Sequence, residues 1–445
     1  MKMDVFKFLS ISFIKMVYST RRQVFLILAC VAWIEFAIRF SPQIERFAHD
    51  VLAYRSFAPQ ETVPVAYGHL EEHARLLQTL ERSTGKWDSS HPRHRLLTAL
   101  YGFTRYKDGS QSDVNRWKDL YKKVPKRQRL LLESAVDYPR KLDSVDRLLD
   151  LNVKLASSIA EYGLQFYNIT QVELDDFIKE AEAQGRPIDK TSVTQGMKHF
   201  VRDWAKEGQE ERLKTFQCVL NSLDREPRTV DAPLRVLLPG AGLGRLAHDI
   251  QKLGGFEVTM NEWSAYMNLA YRYVSSRPER NSVSFHPYID WWSHHATNSD
   301  FQRAVTFPDQ VADPLSVLHV EGDFTTAFNG RTGQYDIIVT LFFIDTARNL
   351  ISYLENIHRL LRPGGRWINL GPLMYGTGPF VQLSLDEIVA LSTRIGFDFR
   401  DPEVVFGEVT IPGLKVQGSE IGYGRNPRGL NKNAFQAQYW EAIKH

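Results

Sequence analysis

Three glycines at alternate positions, Gly240, Gly242 and Gly244, follow a short apolar stretch and precede a helical pattern. Glycine adopts positive φ and has no Cβ, so a ligand can approach the backbone closely there. The helix after such a turn offers free N–H groups and the positive end of its dipole. A strand, a glycine turn and a helix in this order predict a site for a nucleotide-type cofactor.

The spacing of these glycines separates two classes of cofactor. A dinucleotide site requires a further glycine three residues after the second one, and Arg245 occupies that position. The order Gly-x-Gly-x-Gly is instead typical of methyltransferases that use S-adenosylmethionine. The sequence therefore predicts S-adenosylmethionine as the cofactor.

Acidic and aromatic residues follow the predicted strands at the places where such a cofactor needs partners. Glu262 ends the second strand, and its carboxylate can accept hydrogen bonds from both ribose hydroxyls. Asp323 and Phe324 follow the third strand, where Asp323 can accept from the adenine amino group and Phe324 can pack on the ring. The fourth strand ends at Leu341 and leads to Asp345, at the edge where open α/β sheets bind ligands. Asp345 can also be the N-cap of the next helix.

The elements that must position these residues alternate between strand and helix from residue 234 onward. This alternation predicts a mostly parallel sheet covered on both faces, and the last residues predict an antiparallel hairpin at its edge. Residues 60–225 show helical periodicity and predict a helical N-terminal layer, with residues 194–223 as one long helix. The charged linker 224–233 is the predicted domain boundary. The predicted strands are 234–238, 257–261, 316–321, 335–340 and 365–370.

The composition is that of an ordinary globular protein. The 445 residues are 43% hydrophobic and 24% charged, and the formal net charge of +3 gives no case for nucleic acid as a partner. The two cysteines match no zinc or redox spacing, and His286, His294 and His295 match no metal motif. We therefore expect no metal ion.

The N-terminal segment, residues 1–45, differs from the rest of the chain. Residues 24–34 are an uninterrupted apolar run, preceded by basic residues. Eleven residues are too few to span a bilayer, which needs about 20, and extension to residue 40 includes Glu35 and Arg39. The run is read as a short membrane anchor, an interfacial helix or a helix docked on the main domain. We expect membrane association through residues 24–40.

Several blocks of the sequence together resemble the carnosine N-methyltransferase family. The resemblance covers residues 90–445, and it is specific because residues 200–204 (Phe-Val-Arg-Asp-Trp) and 342–347 (Phe-Phe-Ile-Asp-Thr-Ala) are not general methyltransferase features. It implies a class I methyltransferase sheet with a helical N-terminal layer. It also implies methyl transfer from S-adenosylmethionine to an imidazole nitrogen of a histidine-containing dipeptide. The other matching blocks are residues 239–246, 261–264, 322–324 and 367–373.

The resemblance also implies roles for single residues. Arg202 would hold the methionine carboxylate of the cofactor, which a guanidinium fork matches bidentately. Gly240 and Gly242 would line the cofactor, and Asp345 would face the substrate ring. His199, three residues before Arg202 on the same helix face, stands where the family has glutamine and can still donate or accept a hydrogen bond.

The substrate side departs from the family pattern. Gly376 stands where the family has a histidine that helps to hold the dipeptide, and the final strand reads Gln438-Tyr-Trp440. Tyr375 and Tyr439 are the predicted walls of the substrate pocket. The sequence thus predicts an S-adenosylmethionine-dependent N-methyltransferase of a small imidazole or amine compound or peptide. The alternatives are a methyltransferase of a specialised metabolite and a non-catalytic, cofactor-binding regulatory protein at a membrane.

Overall fold

The computed structural model describes residues 63–445, except residues 377, 403 and 425, and describes side chains from residue 68. Within this part, residues from Tyr67 to His445 form one compact unit. The helical layer and the sheet both belong to it. The division of the chain at residues 224–233 therefore stays a prediction.

Helices make up the first part of the described chain, as predicted. The longest helix, Tyr138–Phe166, is amphipathic and has a proline in its first turn. The Asp137 carboxylate is its N-cap and accepts a hydrogen bond from the Arg140 N–H. The long helix predicted over residues 194–223 is wrong, because a π-helical turn (Phe200–Trp204) and a short 3-10 turn (Lys206–Gly208) interrupt it. The helices are α1 (Val63–Thr79), α2 (Pro92–Thr104), α3 (Tyr106–Lys122), α4 (Lys126–Val136), α5 (Tyr138–Phe166), α6 (Gln171–Ala183), α7 (Lys190–His199) and α8 (Gln209–Asp224).

The second part is an α/β sheet with the predicted alternation. The strands are β1 (Leu234–Pro239), β2 (Phe256–Glu262), β3 (Val283–Phe285), β4 (Val305–Phe307), β5 (Leu318–Glu321), β6 (Tyr335–Leu341), β7 (Leu361–Gly371), β8 (Phe397–Arg400), β9 (Glu408–Val409), β10 (Gln417–Gly422) and β11 (Ala434–Lys444). The helices are α9 (Arg245–Gln251), α10 (Ala265–Ser275), α11 (Asn298–Gln302), α12 (Leu350–Leu360) and α13 (Leu385–Ile395).

The strand order in the main sheet is β5-β2-β1-β6-β7-β11-β10-β9, with β8 also paired to β11. The first five strands of this order are parallel, and β11 runs antiparallel to β7 and β10. Parallel strands bring their carboxyl ends to one edge, so Pro239, Glu262, Glu321 and Leu341 end at the same side of the sheet. The predicted class I methyltransferase fold is confirmed.

Apolar packing covers both faces of this sheet. Val236 and Leu238 of β1 belong to one apolar cluster, whereas Leu237 between them belongs to the other. Successive side chains of a strand point to opposite faces, so β1 is buried on both sides. The carboxyl edge is thereby held rigidly above a close-packed core.

None of the helices in the described part of the chain is long and apolar enough to cross a bilayer. This finding corrects the prediction of a membrane anchor and of membrane association. Residues 24–40, on which that prediction rested, lie outside the described residues.

Candidate active site

The three glycines form the loop between β1 and α9, and all of them have positive φ: 64° at Gly240, 58° at Gly242 and 72° at Gly244. Side chains are strained in this region, so each position favours glycine. The helix that follows begins at Arg245, as predicted.

The space around the glycines distinguishes their roles. A Cβ at Gly240 would lie 2.2 Å from the Phe343 ring, and a Cβ at Gly244 would lie 2.6 Å from the Met260 sulfur. These two glycines therefore allow close packing within the protein. A Cβ at Gly242 would meet only ordinary contacts, with Arg202 Nη2 at 3.5 Å and His199 Nδ1 at 3.7 Å.

Glu262, at the end of β2, contacts this loop through its carboxylate. Its carboxylate accepts hydrogen bonds from the backbone N–H groups of Gly242 (2.9 Å), Trp263 (2.8 Å) and Ser264 (2.8 Å). Burial raises the pKa of Glu262 above its ordinary value, although these amide donors oppose the shift. The backbone N–H groups fix this carboxylate. Oε1 accepts two of these hydrogen bonds and Oε2 accepts one, so Oε2 retains acceptor capacity for a ligand hydroxyl.

Arg202 and His199 approach Gly242 from the π-helical turn. Arg202 donates to both oxygens of Asp203, at 2.7 and 3.1 Å, and its Nη1 donates to the Tyr423 hydroxyl at 2.9 Å. Burial alone would lower the pKa of Arg202, but the Asp203 carboxylate outweighs it and raises this pKa. Burial lowers the pKa of His199, and the cation of Arg202 lowers it further, which favours the neutral ring.

The residues after β5 and β6 occupy different environments. Asp323 is exposed, and its Oδ1 accepts from the Thr325 N–H (2.8 Å) and hydroxyl (2.7 Å). Phe324 is 2% exposed and packs edge-on to Phe343, with ring centres 5.4 Å apart, so most of its surface is already covered. Leu341 is partly buried at the end of β6.

Asp345 lies beyond the end of β6, in a 3-10 turn (Ile344–Thr346), and is only 6% exposed. Its Oδ2 accepts a hydrogen bond from the Met374 N–H at 2.9 Å. Burial raises the pKa of Asp345 to about 6. The N-cap of α12 is Asn349, so Asp345 does not cap that helix. The carboxylate is thus desolvated without an ion-pair partner among the described residues.

The two predicted pocket tyrosines are placed differently. The Tyr375 hydroxyl donates a hydrogen bond to the Leu383 carbonyl (2.8 Å) and accepts one from the Leu383 N–H (3.1 Å). These two bonds are internal to the region that follows β7. Tyr439 is fully buried in β11, and its hydroxyl donates to Glu441, which also accepts from Ser222 at 2.8 Å. The structure places Tyr439 in the core and does not bring it to the loop with Gly242.

Tyr423 and Phe342 were not predicted, yet both border the glycine loop. Phe342 has φ of 51°, a conformation that is rare for a bulky residue, and its ring stacks on Tyr423 with centres 4.8 Å apart. One cavity is lined by both rings together with Arg202, Gly240 and Leu341. The signal for Phe342 was its position at the strand end, whereas Tyr423 lies in a Gly- and Asn-rich loop that carries no such signal.

Comparison with known proteins decides the family. A carnosine N-methyltransferase family model matches residues 179–445, which is more than half of the chain. The protein belongs to the carnosine N-methyltransferase family. The carnosine N-methyltransferase of Mus musculus is 30% identical over 75% of this chain and 86% of its own length. That of Schizosaccharomyces pombe is 31% identical over 70% of this chain and 84% of its own length.

Membership in this family confirms the prediction of an enzyme, an S-adenosylmethionine-dependent N-methyltransferase of a small compound. It does not favour a methyltransferase of specialised metabolites or a non-catalytic regulatory protein. The matched region contains the π-helical turn, the glycine loop and the residues after β6.

Proposed function

We propose that the protein transfers the methyl group of S-adenosylmethionine to a ring nitrogen of the imidazole in a small histidine-containing compound or peptide, with carnosine as the leading candidate. The observation that carries this proposal is Asp345, a buried carboxylate without a cationic partner in the described part of the chain, at the same sheet edge as Gly242 and Glu262.

The residues around Gly242 fit the proposed cofactor. His199 Nδ1 is buried and makes no hydrogen bond within the described residues. The absence of a side chain at Gly242 keeps the space next to His199 Nδ1 free of protein atoms from that residue. In this proposal Arg202 binds the methionine carboxylate, His199 and Gly242 contact the same end, and Glu262 accepts from the ribose hydroxyls. Asp323 and Phe324 contact the adenine ring, with Gly240 and Leu341 along the strand ends. The bound cofactor supplies an electrophilic methyl group on a sulfonium centre.

Asp345 acts on the acceptor. An imidazole attacks through the lone pair of one ring nitrogen, so the ring must be neutral. The ionised carboxylate of Asp345 accepts the N–H of the other ring nitrogen, which selects the reactive tautomer and stabilises the positive charge that develops on the ring. The Met374 N–H holds the carboxylate in place for this contact.

Positioning supplies most of the expected rate enhancement. Orientation of two reactants in one site contributes about 7–11 kcal/mol in favourable cases, and no covalent enzyme intermediate is required. Tyr375 belongs to this part of the proposal, because its contact with Leu383 shapes the segment that carries Met374. Tyr439 can support β11 only from within the core.

The proposal is tested by incubation of the full-length protein with methyl-labelled S-adenosylmethionine and four acceptors: carnosine, free histidine, a histidine-containing tripeptide and an amine without imidazole. Label is expected in at least one imidazole compound and not in the amine. Transfer to the amine alone, or binding of the cofactor without any transfer, would refute it. Asp345→Asn serves as the matched variant that retains the shape of the side chain.

A further inference from the structure

The segment formed by residues 374–376 and 378–380 is paired with the turn that carries Asp345 and with Arg348 just after it. The Met374 N–H donates to Asp345 Oδ2 at 2.9 Å, and the Phe380 N–H donates to the Arg348 carbonyl at 2.7 Å. The Tyr375 hydroxyl fixes the following residues through Leu383. Met374 is thereby attached to the Asp345 turn, and Phe380 is attached to Arg348 just after that turn.

This segment leaves open space and exposes apolar side chains. A Cβ at Gly376 or Gly378 would meet no atom within 4 Å. Met374 is 64% exposed and Phe380 is 68% exposed, although both are large and apolar. Met374 adjoins Asp345 through its backbone and Phe380 adjoins Arg348, so both apolar side chains are available to a ligand beside the Asp345 turn.

Arg348 adds a cation to this surface. Its side chain is exposed, and the guanidinium carbon lies 5.1 Å from the centre of the Phe380 ring. Within the described part of the chain its guanidinium forms no ion pair or hydrogen bond with a carboxylate. The ring contact orients the guanidinium and leaves its N–H donors available to an anion.

We propose that Arg348 binds the carboxylate of the methyl acceptor and thereby determines the preference between imidazole compounds with and without that group. This inference rests on the proposed function. In it, Asp345 holds the imidazole N–H, Met374 and Phe380 cover the apolar part of the acceptor, and Arg348 recognises its anionic end. Arg348 is a specificity-determining residue in this arrangement, and it takes no part in the methyl transfer itself.

The test compares carnosine with its C-terminal carboxamide, which has the same imidazole and amine but no carboxylate. The wild-type protein is expected to favour the acid by about tenfold in kcat/KM, which corresponds to ~1.4 kcal/mol. Arg348→Gln is expected to lose this preference. Its kcat/KM should fall for the acid and stay the same for the carboxamide. Arg348→Lys keeps the charge and should retain part of the preference.

Arg394→Gln is the matched control, because Arg394 is also exposed but lies in the last turn of α13. This variant is expected to keep the full preference. Equal rates for both compounds in the wild-type protein, or an undiminished preference in Arg348→Gln, would overturn the inference while the proposed function stands. Absence of transfer to either compound would overturn the inference, and absence of transfer to every imidazole acceptor would refute the proposed function as well.

Discussion

Asp345→Asn should make the protein more stable at neutral pH while it slows methyl transfer by about 10²-fold or more. Burial raises the pKa of Asp345 from its ordinary value of 3.8 to about 6. At ~1.36 kcal/mol for each pKa unit, ionisation of this carboxylate in the folded protein lowers the free energy of unfolding by up to about 3 kcal/mol. Asparagine has almost the same shape, accepts the Met374 N–H through its amide oxygen and carries no charge.

The sign and the pH window follow from linkage. A carboxyl group with a raised pKa in the folded state stabilises the fold at low pH, below its unfolded pKa. That stabilisation is lost as the pH rises through the folded pKa of about 6. The advantage of Asp345→Asn is therefore expected to be about 3 kcal/mol at pH 8 and about half of that at pH 5.

Urea unfolding of both proteins at pH 8 and pH 5 measures this difference, and steady-state methyl transfer measures the functional loss. We expect kcat to fall by about 10²-fold or more, because the developing charge loses its partner. Asp401→Asn is the control, since Asp401 is exposed, and its effect on stability should stay within about 0.5 kcal/mol. An Asp345→Asn protein that is less stable than wild type at pH 8 would refute the desolvation argument and indicate a structural role for the carboxylate.

Four further outcomes depend on the same geometry. Arg202→Ala should weaken binding of S-adenosylhomocysteine by about tenfold or more, measured by calorimetry, and unchanged affinity would remove its proposed role. Gly240→Ala should destabilise the fold by about 1–3 kcal/mol, because its Cβ would overlap the Phe343 ring. Gly242→Ala should be less destabilising, since no atom lies within 3.4 Å of its Cβ, but should reduce cofactor affinity more; the reverse order in the two assays would contradict the roles given to these glycines. The rate of transfer should fall as the pH drops through about 6, where Asp345 and the acceptor imidazole both become protonated, and a pH-independent rate between 5 and 8 would contradict the proposed chemistry.

The fold and the carboxyl edge of the sheet were predictable because they depend on local patterns. The alternation of buried strands and amphipathic helices predicts a parallel sheet, and parallel strands place Glu262 and Asp345 at one edge whatever the details of packing. Periodicity alone did not reveal the π-helical turn at Phe200–Trp204, which interrupts an otherwise helical pattern. The turn places Arg202 near Gly242, and this placement depends on contacts between segments that are distant in the sequence.

Contacts between segments that are distant in the sequence account for the other differences. The Tyr423 hydroxyl accepts from Arg202 across 221 positions, and no local pattern marks that tyrosine as part of the site. Gly240 lines the cavity beside Arg202, but the Phe343 ring lies where a Cβ at Gly240 would be, and no local pattern indicates that contact. Tyr439 was expected at the substrate pocket, but its hydroxyl binds Glu441 in the core, on the face that contacts α8 through Ser222.

The atom that receives the methyl group distinguishes transfer to an imidazole ring from transfer to an amine. Reaction of the full-length protein with carnosine and S-adenosylmethionine carrying a ¹³C-labelled methyl group, followed by NMR of the product, identifies that atom directly. The expected product carries a single labelled methyl on an imidazole ring nitrogen, and Asp345→Asn is expected to slow its formation by about 10²-fold or more. Label on the terminal amine, or a rate unaffected by Asp345→Asn, would contradict it.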